Sequence, residues 1–366
     1  MKSLRYLFPI LLIFVSLLIS CNKEEDPAKP TASFTTTKAD YNTGEAIVFT
    51  NTSADATAFV WSFGDATTST EKSPTKTYNT AGVYVVTMTA TGPGGSASAT
   101  KQLTITVAES NKDLYFIEYS ANKIKKVSLK SGSVASDYLD ITGKAGVGIA
   151  YDAVNNKVYF SDFEAADEGK IWRMNFDGTG LQAIVSGITD PYSIAINNAS
   201  GKIYWSDDNG NISRANLDGT GVETSFINVT DGQMRAIAFD SKNNKIYFYE
   251  VNGENLYVAN ADGTNVSVLI AGVYGYGLYV DEVNNKLYFE DKNASALKIA
   301  NLDGSNPAIV TATGSTRIFG IDVDHEFNKV YWSDRDLGEI KKANLDGTSP
   351  ETVLSGLGSP RGLFIK

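Results

Sequence analysis

The stretch KIYWSDDNGNISRANLDGTG, Lys202 to Gly221, decides the fold. Taken alone it looks like a reactive cluster, with the carboxylates Asp207, Asp208 and Asp218, the aromatics Tyr204 and Trp205, and Arg214. The same pattern returns along the chain. DLYFIE begins at Asp113, KVYFSD at Lys157, KIYWSD at Lys202, KIYFYE at Lys245, KLYFED at Lys286 and KVYWSD at Lys329. The intervals are 44, 45, 43, 41 and 43 residues. An NxDG motif follows in five of the six units, at Asn175, Asn216, Asn260, Asn301 and Asn344. A third element precedes each next unit: GIAYD, SIAIN, AIAFD, GLYVD and GIDVD.

A period in the low forties with about four short strands per unit predicts the blades of a β-propeller. In the second unit the strands read VYFSD, KIWRMNF, LQAIVS and YSIAI. Asp-Gly pairs suit the hairpins, because Gly adopts φ > 0 without steric cost. The first unit starts at its Tyr–aromatic strand, and RGLFIK (361–366) supplies the missing inner strand, closing the ring and removing the exposed sheet edges.

These units resemble the YWTD repeat, the class B repeat of low-density-lipoprotein receptors, over all of 113–366. The Tyr–aromatic pairs are Tyr115-Phe116, Tyr159-Phe160, Tyr204-Trp205, Tyr247-Phe248, Tyr288-Phe289 and Tyr331-Trp332, and the closing acids are Glu118, Asp162, Asp207, Glu250, Asp291 and Asp334. The motif's Thr is replaced, and the first unit has SLKSG in place of NxDG. The resemblance implies a six-bladed propeller.

Repetition changes the meaning of the acids. A catalytic pair needs one unique geometry, whereas carboxylates recurring around a ring are expected to hold strand ends and turns. The only His, His325, sits in the turn DVDHEFN; a lone His builds no His/Cys zinc site, and no GxSxG elbow accompanies it. No catalytic residue and no metal ligand are assigned. Six-bladed lactonases hold calcium on carboxylates in the channel, which leaves calcium as the one cofactor to consider, although no DxDxDG loop is present.

Function is expected where the units differ. The residue before each GIAYD-type strand is Val147, Tyr192, Arg235, Tyr276, Phe319 or Arg361. The YWTD resemblance places this position at the channel mouth. Aromatics and Arg are the makeup of protein-binding hot spots and of sugar-stacking surfaces; the alternative is packing between blades. The loops YSAN, FEAADEG, DNGN, VNGEN, KNASA and RDLGE are expected on the same face, as an acidic rim.

Upstream, residues 30–107 alternate in short strands separated by turns, which predicts a β-sandwich. In FVWSFGD, Phe59, Trp61 and Phe63 share one face, with Trp61 as the core anchor. WSFGDA and SPTKTYNTAGVYVVTMTATGPGGSAS resemble a PKD domain, departing from it at Ala66, where a second Gly is usual. That resemblance implies an immunoglobulin-like spacer or contact module. Residues 108–112 read as a linker.

The N-terminus reads as a lipoprotein signal peptide over 1–20: Lys2 and Arg5, then LFPILLIFVSLL, too short to span a bilayer, then LISC. Leu18 to Cys21 resembles a lipobox, which implies a lipid on Cys21, the only Cys in the chain. Multiple acyl chains, at about 0.8 kcal/mol per buried CH₂, would anchor it stably. Residues 21–29 form a polar tether, and Lys23-Glu24-Glu25 resembles a surface-export signal.

The 366 residues carry a net charge of −10 with no basic cluster, which argues against nucleic acid. The expected protein is an all-β envelope lipoprotein of the outer membrane, whose propeller binds a protein or glycan without catalysis. The rivals are a calcium-dependent lactonase or sugar-active enzyme and an architectural protein without specific ligand.

Overall fold

Period-two alternation shapes the first part of the chain. The computed structural model describes residues 26–163, 168–230, 232–314 and 316–366. The signal peptide, Cys21 and the Lys23-Glu24-Glu25 signal lie outside the described residues. The chain divides into two units, ending at Ala108 and beginning at Glu109. The protein is all-β, a β-sandwich followed by a β-propeller. No helix among the described residues is long and apolar enough to cross a membrane.

In the first unit a five-stranded sheet runs in the order Asp40–Asn42, Gly95–Thr106, Gly82–Gly92, Ala58–Ser62, Thr68–Ser69. The pairs Phe34–Thr35 with Thr50–Asn51 and Ala46–Val48 with Thr75–Thr77 complete the sandwich. Along Ala58–Ser62, Trp61 is fully buried while its neighbour Val60 is 53% exposed. Trp61 meets Phe34 edge-on at 5.0 Å and donates Nε1–H to the Glu71 carbonyl (2.9 Å), so its one polar atom is satisfied in the core. Ala66 adopts φ +66°, the left-handed conformation that the usual Gly would adopt freely. Pro27 and Ala28 pack against Gly94.

The second unit contains six four-stranded antiparallel sheets among its described residues. Their inner strands are Pro360–Ile365, Gly146–Asp152, Ile194–Asn197, Met234–Asp240, Leu278–Asp281 and Ile318–Asp324, for blades 1 to 6. Pro360–Ile365 pairs antiparallel with Asp113–Glu118, and Lys366 and Asp113 exchange backbone hydrogen bonds of 2.9 and 2.7 Å. Inner strands of neighbouring blades touch all the way round. Gly148, Gly277, Gly320 and Gly362, first in their inner-strand motifs, make this possible. A Cβ on Gly148 would stand 2.8 Å from the Tyr192 carbonyl oxygen, and one on Gly362 2.8 Å from that of Val147.

The repeated residues join strands and blades. Lys286 at the start of a second strand donates to the Asn301 side chain at the end of the third (2.6 Å), which couples the Tyr–aromatic and NxDG motifs in register. Tyr159 Oη donates to the Leu217 carbonyl of the next blade, and Tyr247 Oη to that of Leu302, both at 3.1 Å. Asp218 accepts from the backbone N–H and hydroxyl of Thr220 (2.9 and 2.7 Å), which hold its carboxyl below the usual range. Gly219 is constrained twice: its φ is +88°, and a Cβ there would stand 2.1 Å from the Ile184 carbonyl oxygen of the preceding blade. Asp152 and Asp281 accept from the amides of the turns that follow them.

Residues 108–112 are not a free linker. Ser110 is buried and donates to Asp324 Oδ2 (2.9 Å), and Lys112 reaches Asp324 Oδ1 (2.5 Å). Asp324 is fully buried, and a buried carboxylate needs such partners. His325 is half-buried rather than a bare turn residue, with Nε2 3.5 Å from Asp281 of the neighbouring blade.

Candidate functional site

Chain direction determines what meets at the channel mouth. In each blade the connection into the inner strand and the turn between the second and third strands lie on one face of the ring. Val147, Tyr192, Arg235, Tyr276, Phe319 and Arg361 all enter their inner strands from that face. Because the inner strands approach so closely, the side chains reach one another across the axis. Phe319 lies 5.3 Å from Tyr276 and 5.8 Å from Tyr192, ring centre to ring centre, and Tyr192 lies 6.3 Å from Tyr276. Val147 completes the cluster, and Phe163 adds an edge-on contact with Tyr192 at 5.8 Å. Tyr192 and Phe319 are each only 8% exposed and Val147 2%, so these three form a packed floor rather than an open ring of ligand contacts. Tyr276 and Arg235 are half-buried and more accessible.

The guanidinium groups pack on this floor. Arg235 lies 4.6 Å above the Tyr192 ring and is paired with Asp208 from the DNGN loop. Arg361 lies 3.9 Å from the Tyr119 ring and 5.1 Å from that of Phe319. Two further arginines complete the group. Arg335, from the RDLGE loop, lies 5.6 Å from Phe319 and donates Nε–H to Ser359 Oγ (3.2 Å). Arg317 forms a fork with Asp336, at 2.6 Å for its shortest bond, and holds that carboxyl below its ordinary range.

The expected acidic rim is therefore partly spent inward: Asp208 and Asp336 neutralise arginines. Glu164 and Asp167 of the longest loop lie outside the described residues; Glu168 is exposed. The sequence reading placed the loops of Tyr119 and Arg335 on this face without singling out those two residues, and it missed Arg317 and Ser359. Arg317 and Ser359 stand two residues before Phe319 and Arg361. A second comparison of the units at that offset would have found them, because residues two apart on a strand share a face.

Below the floor lies a cavity of about 240 Å³, lined by the inner strands, with Tyr279 and Asp322 among its walls. Burial pushes the Asp322 carboxyl up to about 6, against hydrogen bonds from the Ile365 and Val323 amides and the Tyr279 hydroxyl. Burial likewise raises the Tyr279 phenol. Among the described residues Asp322 is the only acid on these walls, and no three His, Cys, Asp or Glu side chains converge. This donor set does not fit calcium, which takes six to eight oxygens.

Residues 27–107 match the PKD domain family model. A chain of the crystal structure of a nidogen/laminin complex superposes with a TM-score of 0.61 at 21% identity, covering 69% of this chain and 98% of that one. TolB from Acinetobacter baumannii superposes with a TM-score of 0.55 at 12% identity, covering 78% of this chain and 80% of its own. At such identities what is shared is the propeller fold, which supports many functions.

Proposed function

We propose that this is a lipid-anchored protein of the cell envelope, outside the cytoplasm, whose propeller binds a protein or glycan without chemistry while the PKD-type sandwich serves as a spacer. The observation that carries the reading is the convergence of Tyr276, Arg235, Arg335 and Arg361 on one face, around an aromatic floor. Residues of this kind, set by a rigid scaffold and fed by loops, are what recognition surfaces use. The anchor rests on the sequence around Cys21 alone.

Two experiments test the reading. Glycan and protein arrays probed with the chain lacking its apolar N-terminal segment are expected to return a ligand. Replacing Tyr192, Arg235 and Tyr276 together with Ala is expected to abolish its binding. An empty array, or wild-type affinity in the triple variant, overturns the recognition role. Metabolic labelling with an alkyne fatty acid is expected to mark the wild type and not Cys21→Ser; equal labelling overturns the anchor.

A further inference from the structure

Arg361 is the exception among the charges at the mouth. It is only 6% exposed, and its Nε has no hydrogen-bond partner. No acidic side chain among the described residues lies within ion-pair distance of Arg361 or Arg335, whereas Arg235 and Arg317 each hold an aspartate. The surroundings do not compensate. Burial lowers the Arg361 pKa, as do the charges of Arg335 and Arg317, against an opposing effect of the Tyr192 and Tyr119 hydroxyls. The Tyr119 and Phe319 rings offer cation–π contact, but a ring face accepts no N–H···O bond and carries no net charge to neutralise the guanidinium. A buried charge without a counter-ion is otherwise costly. In a chain of net charge −10, this is a local excess of positive charge, carried by an inner strand at Arg361 and by the adjoining turn at Arg335.

We infer that Arg361 and Arg335 form a carboxylate site at the channel mouth, and that the carboxylate belongs to a terminal acidic sugar. This deepens the recognition role proposed above and rests on it. Guanidinium groups present parallel N–H donors that match a carboxylate. Arg361 is only 6% exposed, which suits a single group at the end of a chain better than an internal unit. The charge of −10 opposes a regular polyanion and admits a single negative group. Around the arginines stand Tyr276, half-exposed beside Phe319, and the Ser359 hydroxyl; they suit the apolar face and hydroxyls of a pyranose.

The test is calorimetric titration of the full chain with methyl β-D-glucuronide, with methyl β-D-glucoside as its neutral counterpart, with acetate, and with a short Asp-containing peptide. The glucuronide is expected to bind at least tenfold more tightly than the other three, and more weakly as salt rises. Arg335→Gln is expected to weaken it about tenfold. Arg361→Met is expected to abolish it while raising the thermal midpoint, since an unpaired buried charge is replaced by an apolar side chain of similar length. Equal binding of glucuronide and glucoside, or no binding of either, overturns the carboxylate site. A tighter peptide or acetate overturns the sugar assignment. A lower midpoint in Arg361→Met assigns the arginine to stability and overturns the inference. The recognition role itself survives these failures if the arrays return a neutral glycan or a protein sensitive to the triple alanine variant.

Discussion

Gly320 of the sixth blade lies against the backbone of Leu363 in the first: a Cβ at Gly320 would stand 2.5 Å from the Leu363 amide nitrogen. The Ser333 hydroxyl crosses the same seam, accepting from the Gly320 N–H (2.8 Å) and donating to the Arg361 carbonyl (2.6 Å). The seam is built as tightly as the other blade junctions. Deleting residues 361–366 removes the inner strand of blade 1 and exposes Tyr115, Phe116 and Ile117. The thermal midpoint of the propeller is expected to fall by many degrees in calorimetry; an unchanged midpoint would contradict the closure.

Gly347→Ala tests the junction between blades 5 and 6. Gly347 has φ +82°, and a Cβ there would come within 1.9 Å of the Val310 carbonyl oxygen. The left-handed conformation costs about 1–2 kcal/mol and the overpacking about 1–3 kcal/mol more. Denaturant unfolding should show a loss in that range. Gly356→Ala, with φ +72° and open space around the Cβ, is expected to show only the conformational part.

Ala66→Gly is expected to stabilise the sandwich. Ala66 holds φ +66°, a conformation that L side chains resist. Restoring the usual Gly relieves about 1 kcal/mol of strain, partly offset by the greater freedom of Gly in the unfolded chain. A higher denaturation midpoint for the sandwich checks it.

Glu290 makes stability depend on pH. It is fully buried where three other blades carry Ser161, Ser206 and Ser333, and it accepts from the Tyr276 (2.7 Å) and Ile318 (2.9 Å) amides. Burial nonetheless pushes its carboxyl up to about 8 from 4.5. Between those values the folded state binds the extra proton. The group's contribution is therefore fully present below pH about 4.5 and is lost as pH rises through about 8. Glu290→Ser should flatten this decline in a plot of thermal midpoint against pH; an identical slope would remove Glu290 as its source.

Much of the architecture was legible because six units repeat the same contacts. The Tyr–aromatic pair and NxDG recur together because Lys286 and Asn301, and their counterparts, meet across neighbouring strands. The candidate site was legible only in outline. Comparing units picked out Tyr192, Tyr276 and Phe319, but not that they touch. That depends on how narrow the ring is, which follows from backbone contacts at Gly148 and Gly362 that no single motif announces. The loops of Arg335 and Tyr119 were expected on this face, but their composition does not say that the two side chains turn onto Phe319 and Arg361. The inward pairing of Asp208 and Asp336 is likewise a matter of reach.

The bond from the Gly358 amide to Glu118 spans 240 residues of sequence. During synthesis the strand Asp113–Glu118 emerges long before its partner Pro360–Ile365. Until then it is an apolar edge open to any other extended chain. Pairings this distant also fold slowly. The ring is therefore completed by its last strand: without Pro360–Ile365 the strand Asp113–Glu118 keeps an open edge, and with it that edge is paired.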